Sequence, residues 1–265
     1  MMRIHRLIYL SFVVMILTIE KPFAQTVNFS AQEDKFVKLY SKLQSFAREN
    51  EDSTNLYAEK FENEFTSFIK NNPGTLNYPF KKLIDSIFCF VKTSDDGNVR
   101  IYSWDSWTGG TMHFFKVMHQ WRANGKVFTK VLQFEDGSPA YFCSKIFTIN
   151  IKKNYYLAVT NGIFSTKNAQ QSITCYSIEG NKLMDTVRLF KTKTKKLNTI
   201  NVAFDFFSVV DRPERPLELI TYDDKLNIIY IPVVDDKDQV TKKNILYQLK
   251  GQYFEFIGIE TGKRK

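Results

Sequence analysis

Residues 100–113 concentrate side chains that can bind or activate a ligand. The segment reads Arg-Ile-Tyr-Ser-Trp-Asp-Ser-Trp-Thr-Gly-Gly-Thr-Met-His, and most of it falls in a predicted loop between two strands. The indoles of Trp104 and Trp107 can stack on a sugar ring or a peptide, while Asp105 and His113 can supply hydrogen bonds or acid–base groups. These four residues are the candidate ligand-binding site of the chain.

The same residues also fit a purely structural role, which the sequence alone favours. Trp104 can close the hydrophobic core, Asp105 can cap a turn, and Gly109-Gly110 can let the chain reverse its direction. The two interpretations differ in whether the side chains reach solvent.

No catalytic signature accompanies this segment. The chain has no G-x-S-x-G nucleophile motif, no H-E-x-x-H zinc motif and no phosphate-binding glycine-rich loop. His113 and His119 fall on one predicted strand, where about 3.3 Å per residue separates them by about 20 Å, too far to share one metal ion. We therefore assign no catalytic residue and expect neither a metal nor a cofactor.

The segment resembles one found in uncharacterised exported proteins of Bacteroides-like bacteria. In those proteins a similar R-x-Y-S-W-D…G-G-T-x-H segment follows an Asp-Gly turn, which corresponds here to Asp96-Gly97. The resemblance covers the β region from about Ile87 to the C terminus and implies an exported β protein. It carries no known activity, so no functional residue is transferred from it.

The first 25 residues have the pattern of a cleavable export signal. Arg3 and Arg6 precede an apolar run at 7–19, and Phe23-Ala24-Gln25 offers a cleavage site. At about 1.5 Å per helical residue, this run is too short for a bilayer core about 30 Å thick. We expect the mature protein to be periplasmic or secreted and not to span a membrane.

Basic residues outnumber acidic ones, giving a formal net charge of +9. Part of the excess lies in the runs 191–196 and 263–265. Such clusters can bind nucleic acid, anionic glycans or lipid head groups, but no nucleic-acid-binding motif accompanies them. We interpret both runs as solvated charge and expect no nucleic-acid partner.

The cysteines Cys89, Cys143 and Cys175 leave two states open. In an oxidising compartment the chain can hold one disulfide and one free thiol, or three buried thiols. None of the three lies in a C-x-x-C pair or beside a histidine cluster, which argues against metal binding and thiol redox chemistry.

Residues 26–80 are predicted to form an α-helical hairpin. Ser30, followed three residues later by Glu33, has the capping-box spacing that marks a helix start. Apolar residues then recur at intervals of three and four, and a second stripe at 57–69 precedes Pro73-Gly74. We expect both stripes to pack into the core.

Residues 81–265 are predicted to form an all-β domain that packs with the helices as one unit. β-branched and aromatic runs alternate with turn residues, as in an antiparallel meander of about a dozen strands. The expected strands are 87–92, 99–104, 113–121, 127–134, 141–149, 155–160, 173–178, 184–190, 199–210, 217–222, 226–234, 245–249 and 253–259. The fold class is mainly β, either propeller-like or another meander such as a sandwich or barrel.

Three predicted hairpins align on Gly125, Gly180 and Gly251. Each has an aromatic residue four positions before the glycine, and apolar residues two before and three after it. A repeat of about four strands resembles the blade of a β-propeller, although three units are fewer than the four to eight blades that usually close one. The sequence does not decide whether the sheets form a propeller, a sandwich or a barrel.

Together these features favour an exported, non-catalytic binding or interaction protein of the bacterial cell envelope, with an envelope protein or glycan as its partner. The alternative is an envelope hydrolase acting on a glycan or peptidoglycan fragment, with Asp105 and His113 as acid–base groups. A third hypothesis is a structural component whose helical hairpin docks on a partner.

Overall fold

The computed structural model describes residues 27–135 and 137–261, which form a mainly β protein with an N-terminal helical region. The export signal expected at 1–25 and the basic tail at 263–265 lie outside the described residues. In the part of the chain that is described, no helix is both long enough and apolar enough to cross a membrane.

Two long helices open the fold, α1 at Phe29–Phe46 and α2 at Glu51–Asn71. Each follows an asparagine whose side-chain oxygen accepts a hydrogen bond from the first turn: Asn28 from the N–H of Ala31, and Asn50 from the N–H of Ser53. These caps satisfy backbone donors that have no partner inside the helix. A short 3-10 helix at Pro73–Leu76 and a one-turn helix α3 at Lys81–Ile84 follow.

The capping-box prediction for Ser30 and Glu33 is wrong. Asn28 caps α1 instead, and Glu33 is buried. Its carboxylate accepts a hydrogen bond from the Tyr78 hydroxyl at 2.6 Å and another from the Leu83 N–H at 3.1 Å. Glu33 therefore ties α1 to the segment after α2, and local spacing could not indicate partners that lie 45 and 50 residues away.

The prediction that both helical stripes pack into the core is confirmed. The apolar faces of α1 and α2 share one cluster with the first sheet, in which Phe61 and Phe65 meet the Trp104 ring edge-on. The buried guanidinium of Arg100 reinforces this contact by donating to the carbonyls of Thr75, at 2.6 Å, and Tyr78, at 2.5 Å. Since these carbonyls lie just after α2, Arg100 links the helical region to the sheet.

Fifteen strands follow within the described residues. In chain order they are β1 Cys89–Thr93, β2 Val99–Asp105, β3 Phe115–Ala123, β4 Lys126–Val131, β5 Phe142–Asn150, β6 Asn154–Ile163, β7 Asn168–Glu179, β8 Lys182–Met184, β9 Phe190–Lys191, β10 Lys196–Leu197, β11 Thr199–Asp205, β12 Thr221–Asp223, β13 Ile228–Val234, β14 Val240–Lys250 and β15 Tyr253–Thr261. They form three sheets with the orders β1-β2-β3-β4, β11-β7-β6-β5 and β10-β9-β15-β14-β13-β12. β8 also pairs with β7, and the short β9–β15 contact is the parallel one among these pairs.

Each sheet contains four successive strands paired up and down, namely β1–β4, β5–β8 and β12–β15. Gly125, Gly180 and Gly251, which align in the sequence, all lie in the two-residue turn between the third and fourth strands. Their φ angles are 73°, 59° and 62°, a region that favours glycine. The sequence repeat therefore marks equivalent turns in three meanders.

The sheets pack face to face in sequence order. One hydrophobic cluster joins the first sheet to the second and includes Ile101, Trp121 and Tyr156. Another joins the second sheet to the third and includes Ile173 and Ile229. Sheets covered on both faces need apolar side chains in both directions, and every residue of β2 is indeed buried. The helical region covers the remaining face of the first sheet.

Three predicted strand assignments are corrected. Residues 185–189 form no strand, 206–209 form a 3-10 helix whose cap is Asp205, and 217–220 lie outside β12. The last segment is held by a side chain instead: Gln171 donates to the Leu217 carbonyl at 2.7 Å and accepts from the Ile220 N–H at 2.6 Å. Two of its backbone groups are thus satisfied by a side chain instead of by a neighbouring strand.

Candidate functional site

The candidate site lies where the connections between the second and third strands of the three meanders meet. These connections are 106–114, 164–167 and 235–239. The His113 N–H donates to the Ile163 carbonyl at 3.1 Å, and the N–H groups of Phe206 and Asp205 donate to the carbonyls of Lys167 and Asp238, each at 2.7 Å. Backbone hydrogen bonds therefore hold the three connections together at one end of the sheets.

A cavity of about 370 Å³ opens at this end, and we call it the aromatic cavity. Its walls include Phe88, Phe90, Phe142 and Phe204. The rings of Phe90 and Phe142 are stacked on each other with centroids 4.1 Å apart, so this wall is apolar. Such a surface suits a hydrocarbon or aromatic group.

A second cavity of about 440 Å³ adjoins the first, and Ile163, Ala169 and Phe206 line both. Most of its lining surface is apolar, and we call it the polar cavity after the polar side chains that line it, Arg48, His113, Thr111, Ser165 and Thr166. Both volumes fall in the range of small-molecule sites, about 300–1,000 Å³.

His113 is oriented by Asp105. Its Nδ1 lies 2.5 Å from Asp105 Oδ2, while Asp105 Oδ1 accepts the Trp107 N–H at 3.0 Å. The Asp105 side chain is 1% exposed and that of His113 is 20% exposed. A carboxylate can only accept here, so Nδ1 carries a proton and Nε2 is the ring nitrogen left for a ligand.

Tyr40 fastens the loop that carries His113 to helix α1. Its hydroxyl accepts from Trp107 Nε1 at 3.1 Å and lies 3.1 and 3.2 Å from the carbonyl oxygens of Phe88 and Asp105. Burial raises the pKa of the Tyr40 phenol well above its usual range, so the group stays protonated and donates. The loop is therefore anchored by a helix that is distant in sequence.

Glycine is required at one position of this loop. A Cβ on Gly109 would lie 2.0 Å from the Met112 carbonyl oxygen, whereas a Cβ on Gly110 would meet open space. Trp107 adopts a positive φ of 58°, which is uncommon for a residue with a large side chain. The tight backbone here brings His113 back over the end of β2.

The four predicted site residues differ in their burial and in their contacts. Trp104 is 1% exposed and packs between the helices and the first sheet, so its indole faces the core and not either cavity. Asp105 is buried and acts through His113, while Trp107 is partly buried against Tyr40 and Phe88. Of the four, His113 is the one that lines the polar cavity.

Other wall residues were missed by sequence reasoning. Arg48 follows helix α1, Phe88 precedes β1, and Phe142 opens β5, so no local pattern connects them. The aromatic cluster Phe204, Phe206 and Phe207 was a signal, because small-molecule cavities are lined mainly by hydrophobic and aromatic side chains.

The remaining chemical candidates lie elsewhere. His119 is buried inside β3 and does not share a strand with His113, since β3 starts at Phe115. Among the described residues, no three His, Cys, Asp or Glu side chains come close enough to hold a metal ion. In the run at 191–196, Lys191 pairs with Glu255 at 2.8 Å and Lys196 lies over the Tyr253 ring.

The cysteine alternatives are resolved in favour of three buried free thiols. Burial raises the pKa of Cys143 and of Cys175 to about 12, and it raises the pKa of Cys89 far above its usual range. Thiols in this state carry almost no thiolate and are chemically inert.

Comparison with known proteins identifies no relative of this chain, so the two cavities are the features that bear on its function. No protein-family model matches the chain, and no curated protein is significantly similar to it.

Proposed function

We propose that the protein is an exported, non-catalytic binding protein of the bacterial cell envelope that takes a small amphipathic molecule into the aromatic and polar cavities. One observation carries the proposal: His113 is held through Nδ1 by buried Asp105 and lines a polar cavity that adjoins an aromatic one. Oriented polar groups beside an apolar wall are what a small-molecule site requires. Export rests on the pattern of residues 1–25 and on the resemblance to exported Bacteroides-like proteins.

A glycan is a weaker candidate ligand than an amphipathic molecule. Sugar binding commonly uses exposed aromatic faces, and Trp104 lies in the core while Trp107 is held against Tyr40 and Phe88. The exposed aromatic residue at the mouth of the polar cavity is Phe207. The apolar walls therefore favour a ligand with a hydrocarbon or aromatic part.

A propeller-like relation between the three meanders is part of this proposal. Its support is the recurrence of four antiparallel strands with a glycine turn between the third and fourth strands. Loops carried by a rigid scaffold often form ligand sites, and the polar cavity is lined by the connections between the second and third strands of the first two meanders.

The proposal is tested with Nile red, a neutral apolar dye that fluoresces when it enters an apolar site. We expect saturable binding to the wild-type protein. Ile87 lines the aromatic cavity with 64% exposure, so Ile87→Asp places a charge on its rim at little cost to folding. We expect this variant to bind the dye about tenfold more weakly.

Leu56→Asp is the matched control, because Leu56 is 62% exposed on α2 and lies away from both cavities. It should bind Nile red like the wild type. If both variants bind equally, or the wild type shows no saturable binding, the proposal is wrong.

A second candidate function is an envelope hydrolase, favoured by the Asp105–His113 pair. A histidine oriented by a buried carboxylate can act as a general base, and Thr111, Ser165 and Thr166 bring hydroxyl groups to the same cavity. Incubation with peptidoglycan fragments followed by mass spectrometry tests this candidate. Turnover that disappears in His113→Gln would support it over simple binding, and turnover that persists there would exclude this pair as its catalytic group.

A further inference from the structure

The polar cavity contains cationic and hydroxyl groups but no carboxylate among its lining residues. Its charged members are Arg48 and, when protonated, His113. The nearby acid, Asp105, lies behind His113 and is engaged by the imidazole and by the Trp107 N–H. Such a lining stabilises a negative charge and gives a cationic group no partner of opposite charge.

Arg48 is placed at the mouth of this cavity by the turn between the two long helices. Its φ is 95°, and the N–H groups of Ala47, Glu49 and Asn50 all bond to carbonyls of the last turns of α1. The strained backbone is thus fixed by the helix end. No carboxylate among residues 27–135 and 137–261 forms an ion pair with Arg48, whereas Lys35, Lys82 and Lys116 each have one.

His113, in the connection between β2 and β3, lines the same cavity as Arg48. Because Nδ1 is bonded to Asp105, the protonated ring presents an Nε2–H donor to the cavity. The planar guanidinium of Arg48 matches the two oxygens of a carboxylate, and charge-assisted hydrogen bonds of this kind are about twice as strong as neutral ones.

A second arginine, which lines the aromatic cavity, does not compete with Arg48 for a carboxylate. Arg215 lines the aromatic cavity, but its Nη1 donates to the carbonyls of Arg212 and Glu214, and its Nη2 donates to that of Val210. Its guanidinium also lies over the Phe206 ring. These donors are already satisfied, and the other polar side chains lining the aromatic cavity, Asn161 and Gln170, are uncharged amides. The buried Asn161 Nδ2 has no hydrogen-bond partner, so the aromatic cavity suits an uncharged part of the ligand and offers it one neutral donor.

We infer that the ligand is a single-chain carboxylate amphiphile whose head group binds Arg48 and His113 and whose hydrocarbon tail occupies the aromatic cavity. The inference rests on the proposed binding function and adds the charge and orientation of the ligand. The tail crosses from one cavity to the other along Ile163, Ala169 and Phe206, which line both.

Displacement of Nile red by simple amphiphiles below their micellar concentrations tests the inference. Dodecanoate should bind at least about tenfold more tightly than dodecanol and than dodecylammonium, because the alcohol lacks the charge and the amine repels Arg48. Octanoate, decanoate and dodecanoate should gain about fourfold in affinity for each added methylene, as expected when a tail leaves water.

Arg48→Gln identifies the head-group site. Arg48 is exposed, so the substitution should not disturb folding, which a thermal melt checks. We expect the preference for dodecanoate over dodecanol to fall below about threefold. Arg122→Gln, an exposed arginine on β3 outside both cavities, should keep the full preference.

The outcomes separate this inference from the proposed function. Failure of Nile red to bind the wild-type protein overturns both. Saturable Nile red binding with equal affinities for dodecanoate and dodecanol, or tighter binding of dodecylammonium, overturns the carboxylate assignment and leaves the binding function standing. An unchanged preference in Arg48→Gln overturns the assignment of the head group to this cavity.

Discussion

His113 Nδ1 and Asp105 Oδ2 lie 2.5 Å apart, and this contact joins the end of β2 to the residue that begins the return into β3. The carboxylate is buried while the imidazole reaches a cavity. A charged group that is removed from water needs hydrogen-bond partners, and Asp105 finds them in His113 and in the Trp107 N–H. The pair therefore stabilises the loop and orients the ring at the same time.

Asp105→Asn should switch the tautomer of His113. The Trp107 N–H requires the oxygen of the new amide, so the amide nitrogen must face the imidazole and donate to Nδ1. At about pH 8.5, where an ordinary imidazole is neutral, we expect the proton to move to Nε2. Long-range ¹⁵N NMR of the ring measures this change.

The same variant should lose about 1–2 kcal/mol of stability in urea unfolding, since a charged acceptor becomes neutral. Asp235→Asn is its control, because Asp235 accepts the N–H groups of Lys237 and Gln239 in an exposed turn. That change should cost less than about 0.5 kcal/mol. An unchanged tautomer in Asp105→Asn would contradict the proposed role of the carboxylate.

Gly109→Ala should disturb the loop that carries His113. The added methyl group would sit 2.0 Å from the Met112 carbonyl oxygen, so the backbone has to move. We expect a loss of about 1–3 kcal/mol in urea unfolding, the usual cost of overpacking. The neighbouring Gly110→Ala adds the same methyl group where nothing lies within 4 Å, and its stability should be nearly unchanged. Equal effects of the two substitutions would show that the loop adapts freely.

His119 should make the fold sensitive to acid. Burial, and to a lesser extent the charge of Lys130, lower its pKa from 6.5 to about 4. Between these values the unfolded chain binds a proton that the folded chain does not, so the free energy of unfolding falls as pH falls through this window. Above pH 6.5 both states are neutral at this residue and the contribution disappears.

Urea unfolding of the wild type and of His119→Gln measures this effect. Between about pH 7 and about pH 4.5 the variant should lose about 2–3 kcal/mol less than the wild type. Lys130→Gln removes only the smaller cause of the shift and should keep most of the pH dependence. Parallel pH profiles for the wild type and His119→Gln would rule out this role.

The three thiols should be unreactive in the native state. All are buried, and the raised pKa values of Cys143 and Cys175 leave almost no thiolate near neutral pH. We expect no rapid reaction with Ellman's reagent in buffer and three equivalents in guanidinium chloride without a reductant. One equivalent after unfolding would instead indicate a disulfide.

Much of the fold is readable from local patterns. The apolar stripes of α1 and α2 follow from the helical period, and Gly125, Gly180 and Gly251 mark turns between strands because positive φ favours glycine. Strand ends were less readable. Residues 217–220 look like a strand, but in place of strand pairing the Gln171 side chain, from the second sheet, bonds to the Leu217 carbonyl and the Ile220 N–H.

The candidate site was likewise predictable from the sequence only in part. Residue types and spacing singled out 100–113 and predicted a tight reversal at Gly109-Gly110, since these features are local. Only the tertiary structure decided that Trp104 is buried and that Asp105 bonds to His113. It also decided that Arg48 lines the polar cavity together with His113 and the β6–β7 connection. Which face of a strand is covered, and which loops meet, depends on how sheets pack over distances that local sequence patterns do not encode.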